Sequence, residues 1–365
     1  MPSTVLLDAT PLAGGHALRG VGAAIRGLLH GFLDQEPDAR PEILVRWGQP
    51  PSPGFSYHRI TWPEWGMYRV PDPWPGLVTE RLVRRMRPVL FHATQPALLP
   101  EELAVVATCH DLIPAAYPRD YLQGAGRAAE ARMYAKYMER LRGARVVLAS
   151  SQETASDIGR LAQVDPGRIR VVPLAAPLPV PAAGEVPEGD YVLFSGAFEP
   201  HKNARLAIAA MAYAPPGVRL ALTGPWSARR SDRLRRYAAA VGADHRVLWL
   251  GYVPAERLAA LRKAALAVVV PSWKEGFGLP VLEAMAAGVP VVASDTQALR
   301  EAGGDAARYL PLGDPRAWGG AIAELAADRA ERRRMGEAGR AQAALFSWEQ
   351  TARLTRGAYD EALRG

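Results

Sequence analysis

The sequence predicts two α/β domains, each built on a doubly wound parallel sheet. Short apolar runs such as residues 267–270 show no polar alternation, which is typical of strands that helices cover on both faces. Ala- and Leu-rich stretches of about 10–15 residues lie between these runs, as helices do in βαβ units. The 365 residues are enough for two domains of ordinary size.

The apolar runs predict strands in both halves of the chain. In the first half we expect strands near residues 5–7, 42–47, 89–92, 104–109 and 145–149. In the second half we expect them near residues 191–195, 219–223, 247–250, 267–270 and 289–294. Ligands of such sheets bind at the carboxyl ends of the strands, so functional residues are expected in the loops that follow them.

A proline-rich segment separates the two halves. Residues 177–189 contain four prolines in thirteen positions, which excludes a helix interior or a central strand. We therefore predict an N-terminal domain over 1–176, a linker over 177–189, a C-terminal domain over 190–345 and a final helical segment over 346–365. Ser347 and Gln350 form a capping-box pattern at the start of that last helix.

Charge and cysteine content narrow the class of protein. The chain has 44 Lys and Arg against 37 Asp and Glu, a net charge of +7, which suits an anionic ligand, an anionic membrane surface or nucleic acid. The single cysteine, Cys109, excludes an internal disulfide framework and a cysteine-based zinc cluster. No signal-peptide pattern and no apolar run of about 18 residues occurs, so we expect a cytoplasmic protein.

The most informative segment covers residues 271–288. A buried strand ends there, a loop with Gly276 and Gly278 follows, and a helix begins. Glycines allow close backbone approach, and N–H groups at a helix start attract anions, so this loop predicts a diphosphate site. Glu275 and Glu283 fit either a hydrolase acid/base pair or acceptors for hydroxyls on either side of the anion, and we favour the acceptors.

A second strand–glycine–helix segment covers residues 191–203. Gly196 follows the strand, and we expect Asn203 to cap the next helix. Lys202 stands just before that helix, where a cation is locally unfavourable unless a polyanion binds. The chain has only four lysines, so the presence of two of them, Lys202 and Lys274, in these loops favours an anionic ligand.

These segments resemble the donor-binding signature of glycosyltransferase family 4, which comprises retaining enzymes of the GT-B fold. The match consists of Glu-x7-Glu in its apolar frame, the loop from Gly196 to Asn203, the frame 251–254 and residues 346–348. The resemblance covers the second half of the chain. It implies two Rossmann-like domains facing across a cleft, with the last helix returning to the first domain.

The first half matches the family more sparsely. Residues 20–22 resemble its glycine loop near the donor phosphates, and residues 92–94 resemble an acceptor-side loop. Residues 108–114 resemble a stretch whose histidine, here His110, points at the transferred sugar. Taken alone, His110 fits a structural histidine better, and adjacent strand residues face opposite ways, which argues against a nucleophilic Cys109–His110 pair.

The resemblance also implies the roles of individual residues. Lys202 would neutralise the donor diphosphate, Glu275 would hold the sugar hydroxyls and Glu283 the ribose hydroxyls. His110, Lys202 and Glu275 are the implied catalytic residues. The implied donor-binding residues are Gly20, Val21, Gly22, Gly196, Lys202, Tyr252, Val253, Glu275, Gly276, Phe277, Gly278, Leu279 and Glu283.

The resemblance implies retaining hexosyl transfer from a nucleoside diphosphate sugar to an acceptor hydroxyl. No cofactor and no metal ion is expected. The acceptor would be a saccharide, a lipid-linked saccharide or a small molecule, and a peripheral position at the inner face of the membrane is left open. Residues 17–26 and 108–114 look most like mannosyltransferases of polysaccharide assembly, which favours GDP-mannose over a UDP-sugar.

One departure and several alternatives stay open. Many family members have Arg after the glycine, and here it is Ala197; we hypothesise that His201 or Arg19 compensates.

The Trp-rich segment 47–76 is expected to be a loop capping the domain core, or else an acceptor or membrane contact. The alternatives are a sugar-nucleotide epimerase, a GT-B protein without catalysis, an oxidoreductase, which lacks its glycine fingerprint here, and a nucleic-acid-binding protein, which charge alone suggests.

Overall fold

The computed structural model describes residues 4–13, 20–36, 39–46, 53–60, 83–95, 103–124, 126–197, 199–225 and 227–364. The chain divides into two compact units. Unit 1 is Met1–Pro177 together with Phe346–Gly365, and unit 2 is Leu178–Leu345. Residues 178–190, at the start of unit 2, form neither helix nor strand.

Among its described residues, unit 1 contains a parallel sheet of seven strands. The strands are β1 (Val5–Asp8), β2 (Glu42–Val45), β3 (Tyr57–Arg59), β4 (Leu90–Ala93), β5 (Val105–Cys109), β6 (Val146–Ala149) and β7 (Ile169–Val171). Their order in the sheet is β3-β2-β1-β4-β5-β6-β7. The helices between them are α1 (Gly20–Phe32), α2 (Ile113–Ala116), α3 (Pro118–Tyr121), α4 (Ala128–Gly143) and α5 (Gln152–Ala162).

Unit 2 contains a parallel sheet of six strands. The strands are β8 (Tyr191–Ser195), β9 (Arg219–Thr223), β10 (Val247–Gly251), β11 (Ala267–Val270), β12 (Val291–Ser294) and β13 (Arg308–Leu310). Their order is β10-β9-β8-β11-β12-β13. The helices are α6 (Ala204–Ala210), α7 (Ala228–Ala240), α8 (Ala255–Ala264), α9 (Leu279–Ala286), α10 (Gln297–Gly303), α11 (Pro315–Ala327) and α12 (Arg329–Ala343).

The predicted doubly wound parallel sheets are confirmed in both units. Every residue of β6 and β11 is buried, as their unbroken apolar runs indicate. The sequence does not predict β3, β7 and β13, which are three-residue strands at the sheet edges without a fully buried residue. Edge strands pack on one neighbour only, so they need no long apolar run.

The last helix of the chain, α13 (Trp348–Arg364), packs on α1 within unit 1. The Trp348 side chain is buried against Gly27, where a Cβ atom would overlap the indole ring. Ser347 Oγ accepts a hydrogen bond from the Gln350 N–H at 3.2 Å, as the capping pattern predicts. Within the described ranges, no helix has both the length and the apolar character needed to cross a membrane.

Candidate active site

The carboxyl ends of β8 and β11 are neighbours in the sheet of unit 2. From β8 the chain proceeds to β9 on one side, and from β11 it proceeds to β12 on the other. Such a reversal opens a crevice at the carboxyl edge, where doubly wound sheets bind their ligands. The two loops that the sequence singles out, 196–203 and 271–278, begin at this edge.

Lys202 and Glu275 connect these two loops. Lys202 Nζ donates hydrogen bonds to both carboxylate oxygens of Glu275, at 2.7 Å to Oε1 and 2.8 Å to Oε2. The backbone N–H of Trp273 donates to the carbonyl of His201 at 2.9 Å, which ties the loops a second time. Two of the three predicted catalytic residues are therefore in direct contact.

The environment of this pair keeps Glu275 ionised. Its side chain is 7% exposed, and that of Lys202 is 18% exposed. Burial raises the pKa of Glu275. The Lys202 ammonium and hydrogen bonds from Lys202 and Ser272 lower it by a larger amount, so the pKa lies below its ordinary value. The crevice thus presents a cation suited to phosphate beside a carboxylate suited to hydroxyl groups.

The structure corrects two expectations for the first loop. Burial and the neighbouring Lys202 cation lower the pKa of His201 to about 4, so its imidazole is neutral at pH 7 and does not replace a missing positive charge beside Ala197. Asn203 does not cap α6 with its side chain. It has a left-handed backbone, with φ of 52°, and follows a 3₁₀ turn over Pro200–Lys202.

The second loop ends in a glycine that its backbone requires. Gly278 has φ of +104°, and a Cβ atom there would lie 3.1 Å from Leu299 Cδ2. Phe277 before it is buried, and Leu279 after it opens α9. The loop in which the sequence predicts a diphosphate site therefore ends at a helix start on the carboxyl edge.

Glu283 lies within α9 and forms an ion pair that the sequence does not predict. Arg262 Nη2, from α8, donates to Glu283 Oε2. The side chains of Arg262 and Glu283 are 13% and 21% exposed. Among the residues that the structure describes, the other oxygen, Oε1, accepts no hydrogen bond. A spacing rule within one motif does not reveal this partner, because it lies on a different helix.

Glycines follow or end three neighbouring strands at the same edge. Gly196 N–H donates to Thr223 O at 3.0 Å, and Gly224 N–H donates to Gly251 O at 2.9 Å. A Cβ atom at Gly224, which has φ of +145°, would clash with the Gly196 carbonyl oxygen. Gly224 is not among the predicted site residues, although it follows its strand as Gly196 does. Beyond Gly251, Tyr252 is 54% exposed and Val253 is buried.

The remaining predicted site residues lie in unit 1. Gly20, Val21 and Gly22 form the start of α1, and His110 directly follows β5. The Cys109 thiol is fully buried, and burial is the main cause that raises its pKa to about 12, so it is not a nucleophile. Arg19 and the four tryptophans of segment 47–76 lie outside the described residues.

Near His110, unit 1 presents hydroxyl groups and the neutral His92 imidazole, and the Asp111 carboxyl is the next residue in the chain. Burial is the larger cause, and the neighbouring His110 the smaller one, that lower the pKa of His92 to about 3. The two ring nitrogens of His92 each lie 2.7 Å from a hydroxyl, one of Tyr359 and one of Thr108. A cavity of about 30 Å³ lies nearby. Its lining includes His110 together with the hydroxyl-bearing side chains Thr94, Thr108, Ser150, Thr351 and Thr355.

Solved structures with this architecture are glycosyltransferases. The sucrose-phosphate synthase of Thermosynechococcus elongatus superposes with a TM-score of 0.75 at 22% identity, covering 98% of both chains. Anabaena HepE in complex with UDP and glucose superposes with a TM-score of 0.71 at 16% identity, covering 98% of this chain and 99% of that one. The fold is therefore that of the GT-B glycosyltransferases.

Sequence comparison defines the family within that fold. Residues 28–178 match the family described as Glycosyltransferase Family 4, and residues 181–342 match Glycosyl transferases group 1. The O-antigen chain mannosyltransferase B of Escherichia coli is 33% identical over 286 residues, which are 72% of this chain and 71% of that protein. The chain therefore belongs to glycosyltransferase family 4.

A second group of relatives matches over a shorter length. The D-inositol 3-phosphate glycosyltransferase of Segniliparus rotundus is 35% identical over 237 residues, which are 60% of this chain. The chain spans about half the length of that protein, 53%. The two sets of relatives share glycosyl transfer and differ in the substrates that their names give.

Proposed function

We propose that this glycosyltransferase moves a hexose, with retention of configuration, from a nucleoside diphosphate sugar to an acceptor hydroxyl. The observation that carries the proposal is the contact of Lys202 with Glu275 at the strand-order reversal of unit 2. In that position a bound diphosphate would take hydrogen bonds from Lys202 Nζ, and Glu275 would turn its freed carboxylate oxygens to sugar hydroxyls.

The proposed mechanism uses fixed charges and dipoles of the chain. Negative charge builds on the departing nucleoside diphosphate, and Lys202 with the N–H groups at the start of α9 would stabilise it. The acceptor hydroxyl would attack the anomeric carbon of the sugar on the face that the diphosphate leaves, without an enzyme nucleophile or a metal ion. The bond from that carbon to the diphosphate oxygen would break as the new glycosidic bond forms, and the hydroxyl proton would pass to the departing diphosphate. Glu283 would bind the ribose, and His110 would act at the transferred sugar, as the family resemblance implies.

The names of similar proteins favour particular sugar donors. GDP-mannose is the favoured donor because the Escherichia coli relative is named a mannosyltransferase. A UDP-sugar is the second choice, since the structurally similar HepE is described with UDP and glucose. We propose a glycan or lipid-linked saccharide as acceptor, with the enzyme in the cytoplasm and in peripheral contact with the inner face of the membrane.

The proposal is tested first by thermal unfolding with GDP, UDP, ADP, GDP-mannose and UDP-glucose. A ligand that binds only the folded protein raises Tm, by an amount that grows with its concentration over Kd. We expect stabilisation by GDP and GDP-mannose. Stabilisation by none of the five compounds would contradict a donor site. Transfer is then followed by mass spectrometry, and NMR of the product anomeric centre distinguishes retention from inversion.

A further inference from the structure

The contacts of Glu283 differ from those of Glu275 in a way that bears on binding. Lys202 contacts both oxygens of Glu275, whereas Arg262 contacts only Oε2 of Glu283. Within the described part of the chain, Glu283 Oε1 accepts no hydrogen bond, and the side chain keeps 21% of its surface exposed. One oxygen of this carboxylate is therefore held, and the other is left for an external donor.

The position of Arg262 makes it an effective holder of this carboxylate. It lies in the last turn of α8, where the helix dipole favours a cation. With its side chain 13% exposed, the ion pair is shielded from water better than an ordinary surface pair. The α9 helix that bears Glu283 begins at the carboxyl edge that carries the Lys202–Glu275 pair.

We propose that Arg262 is a positioning residue for ribose recognition: it fixes the Glu283 carboxylate so that Oε1 accepts hydrogen bonds from the ribose hydroxyls of the nucleotide. The inference rests on the proposed function, because it places the nucleotide ribose at Glu283. In this inference the selection of ribose over deoxyribose depends on Arg262, a residue outside the Glu-x7-Glu motif.

The test compares ribose and deoxyribose nucleotides in matched variants. Dissociation constants for GDP, 2′-deoxy-GDP, UDP and 2′-deoxy-UDP are measured by calorimetry on the wild type, Arg262→Met and Lys263→Met. Lys263 is the matched control, since it is the next residue of α8, carries the same charge and is exposed. Because a hydrogen bond to a charged group is stronger than one between neutral groups, we expect the wild type to prefer ribose by about tenfold or more.

The expected result is that Arg262→Met loses most of this preference while Lys263→Met keeps it. Glu283→Gln should lose it too, and adding Arg262→Met to Glu283→Gln should change it no further. If Arg262→Met does not fold, Glu283→Gln alone still allows the inference to be overturned, because the preference is expected to depend on the Glu283 carboxylate. A wild-type preference retained in Arg262→Met or in Glu283→Gln would overturn the inference while leaving the proposed function intact. Absence of wild-type binding to both GDP and UDP would overturn the proposed function itself.

Discussion

The carboxyl edges of the two sheets carry different chemistry on the same architecture. In unit 2 the strand order reverses between β8 and β11, and a buried ion pair joins the loops there. In unit 1 it reverses between β1 and β4, where Asp8 Oδ1 accepts hydrogen bonds from Thr10 N–H at 3.0 Å and Thr10 Oγ at 2.6 Å. Thr94 Oγ donates to the Asp8 carbonyl at 2.6 Å.

The difference shows which groups a ligand can recruit. Lys202 donates to Glu275 across two loops, and in the proposed function an arriving phosphate would take over these hydrogen bonds. The carboxylate of Asp8 is engaged by its own turn, and burial raises its pKa. Unit 2 therefore offers a cation to an anionic ligand, whereas unit 1 offers hydroxyls, the neutral His92 imidazole and the Asp111 carboxyl near His110. The fold alone does not distinguish the two edges; the side chains do.

The largest effect is expected from Glu275→Gln, which removes the charge and keeps the volume. We expect the transfer rate to fall about 10²–10³-fold, as when one preorganised electrostatic group is lost at a reacting centre. Steady-state kinetics with the donor found in the thermal panel measures the change. The matched control is Glu199→Gln on the other loop, whose ion pair with Arg230 at 3.0 Å is more exposed and whose loss should change the rate little. Full activity of Glu275→Gln would remove Glu275 from the site.

The next effect is on stability, with Lys202→Met. Loss of one partner from a buried ion pair costs about 3–5 kcal/mol of unfolding free energy, because the Glu275 charge is left unpaired. In the wild type the pKa of Glu275 is lowered, so its contribution is present above about pH 4.5 and lost as pH falls through the folded-state pKa. In the variant, burial without the cation raises that pKa, so protonation relieves the cost.

Thermal unfolding between pH 8 and pH 4 measures this prediction. The Tm deficit of Lys202→Met against the wild type should be largest near pH 7–8 and shrink toward pH 4. A deficit that is independent of pH would show that the Lys202–Glu275 contact does not determine the ionisation of Glu275.

A smaller effect is expected from Gly224→Ala. The added Cβ would clash with the Gly196 carbonyl oxygen, and overpacking of this kind costs about 1–3 kcal/mol. Because the strain falls on the loop before Lys202, nucleotide affinity should fall together with Tm. Gly217→Ala is the control, since a Cβ there meets nothing within 4 Å. Unchanged affinity in Gly224→Ala would mean that the Gly196 loop does not contact the nucleotide.

The smallest effect is expected in unit 1, from Tyr359→Phe. The change removes one partner of His92, whose ring nitrogen lies 2.7 Å from the Tyr359 hydroxyl, at a cost of about 0.5–1.5 kcal/mol. Denaturant unfolding should report the loss, and calorimetry should find GDP and UDP affinities unchanged. Weaker nucleotide binding in Tyr359→Phe would indicate that the neutral network of unit 1 also supports the donor site.

The sequence predicts most of the fold but little of the pairing within the site. Central strands such as β11 are recognisable because both faces are buried, whereas β13 packs on one neighbour and has no fully buried residue. Lys202 and Glu275 are each identifiable from their loops. Their contact depends on β8 lying next to β11, and the sequence does not reveal this because the two residues are 73 positions apart in the chain. The Arg262–Glu283 pair is not predicted either, because its two residues lie on different helices, α8 and α9.

We propose above that the carboxyl edge of unit 2 binds a nucleoside diphosphate through Lys202. Calorimetric titration of GDP and UDP into the wild type, Lys202→Met and Lys136→Met tests it most directly, with the exposed Lys136 of α4 as the charge-matched control. We predict that at least one of the two nucleotides binds the wild type and Lys136→Met with equal affinity. The affinity of Lys202→Met for that nucleotide should be lower by about tenfold or more. Equal affinity in all three proteins, or binding of neither nucleotide to the wild type, would contradict the claim.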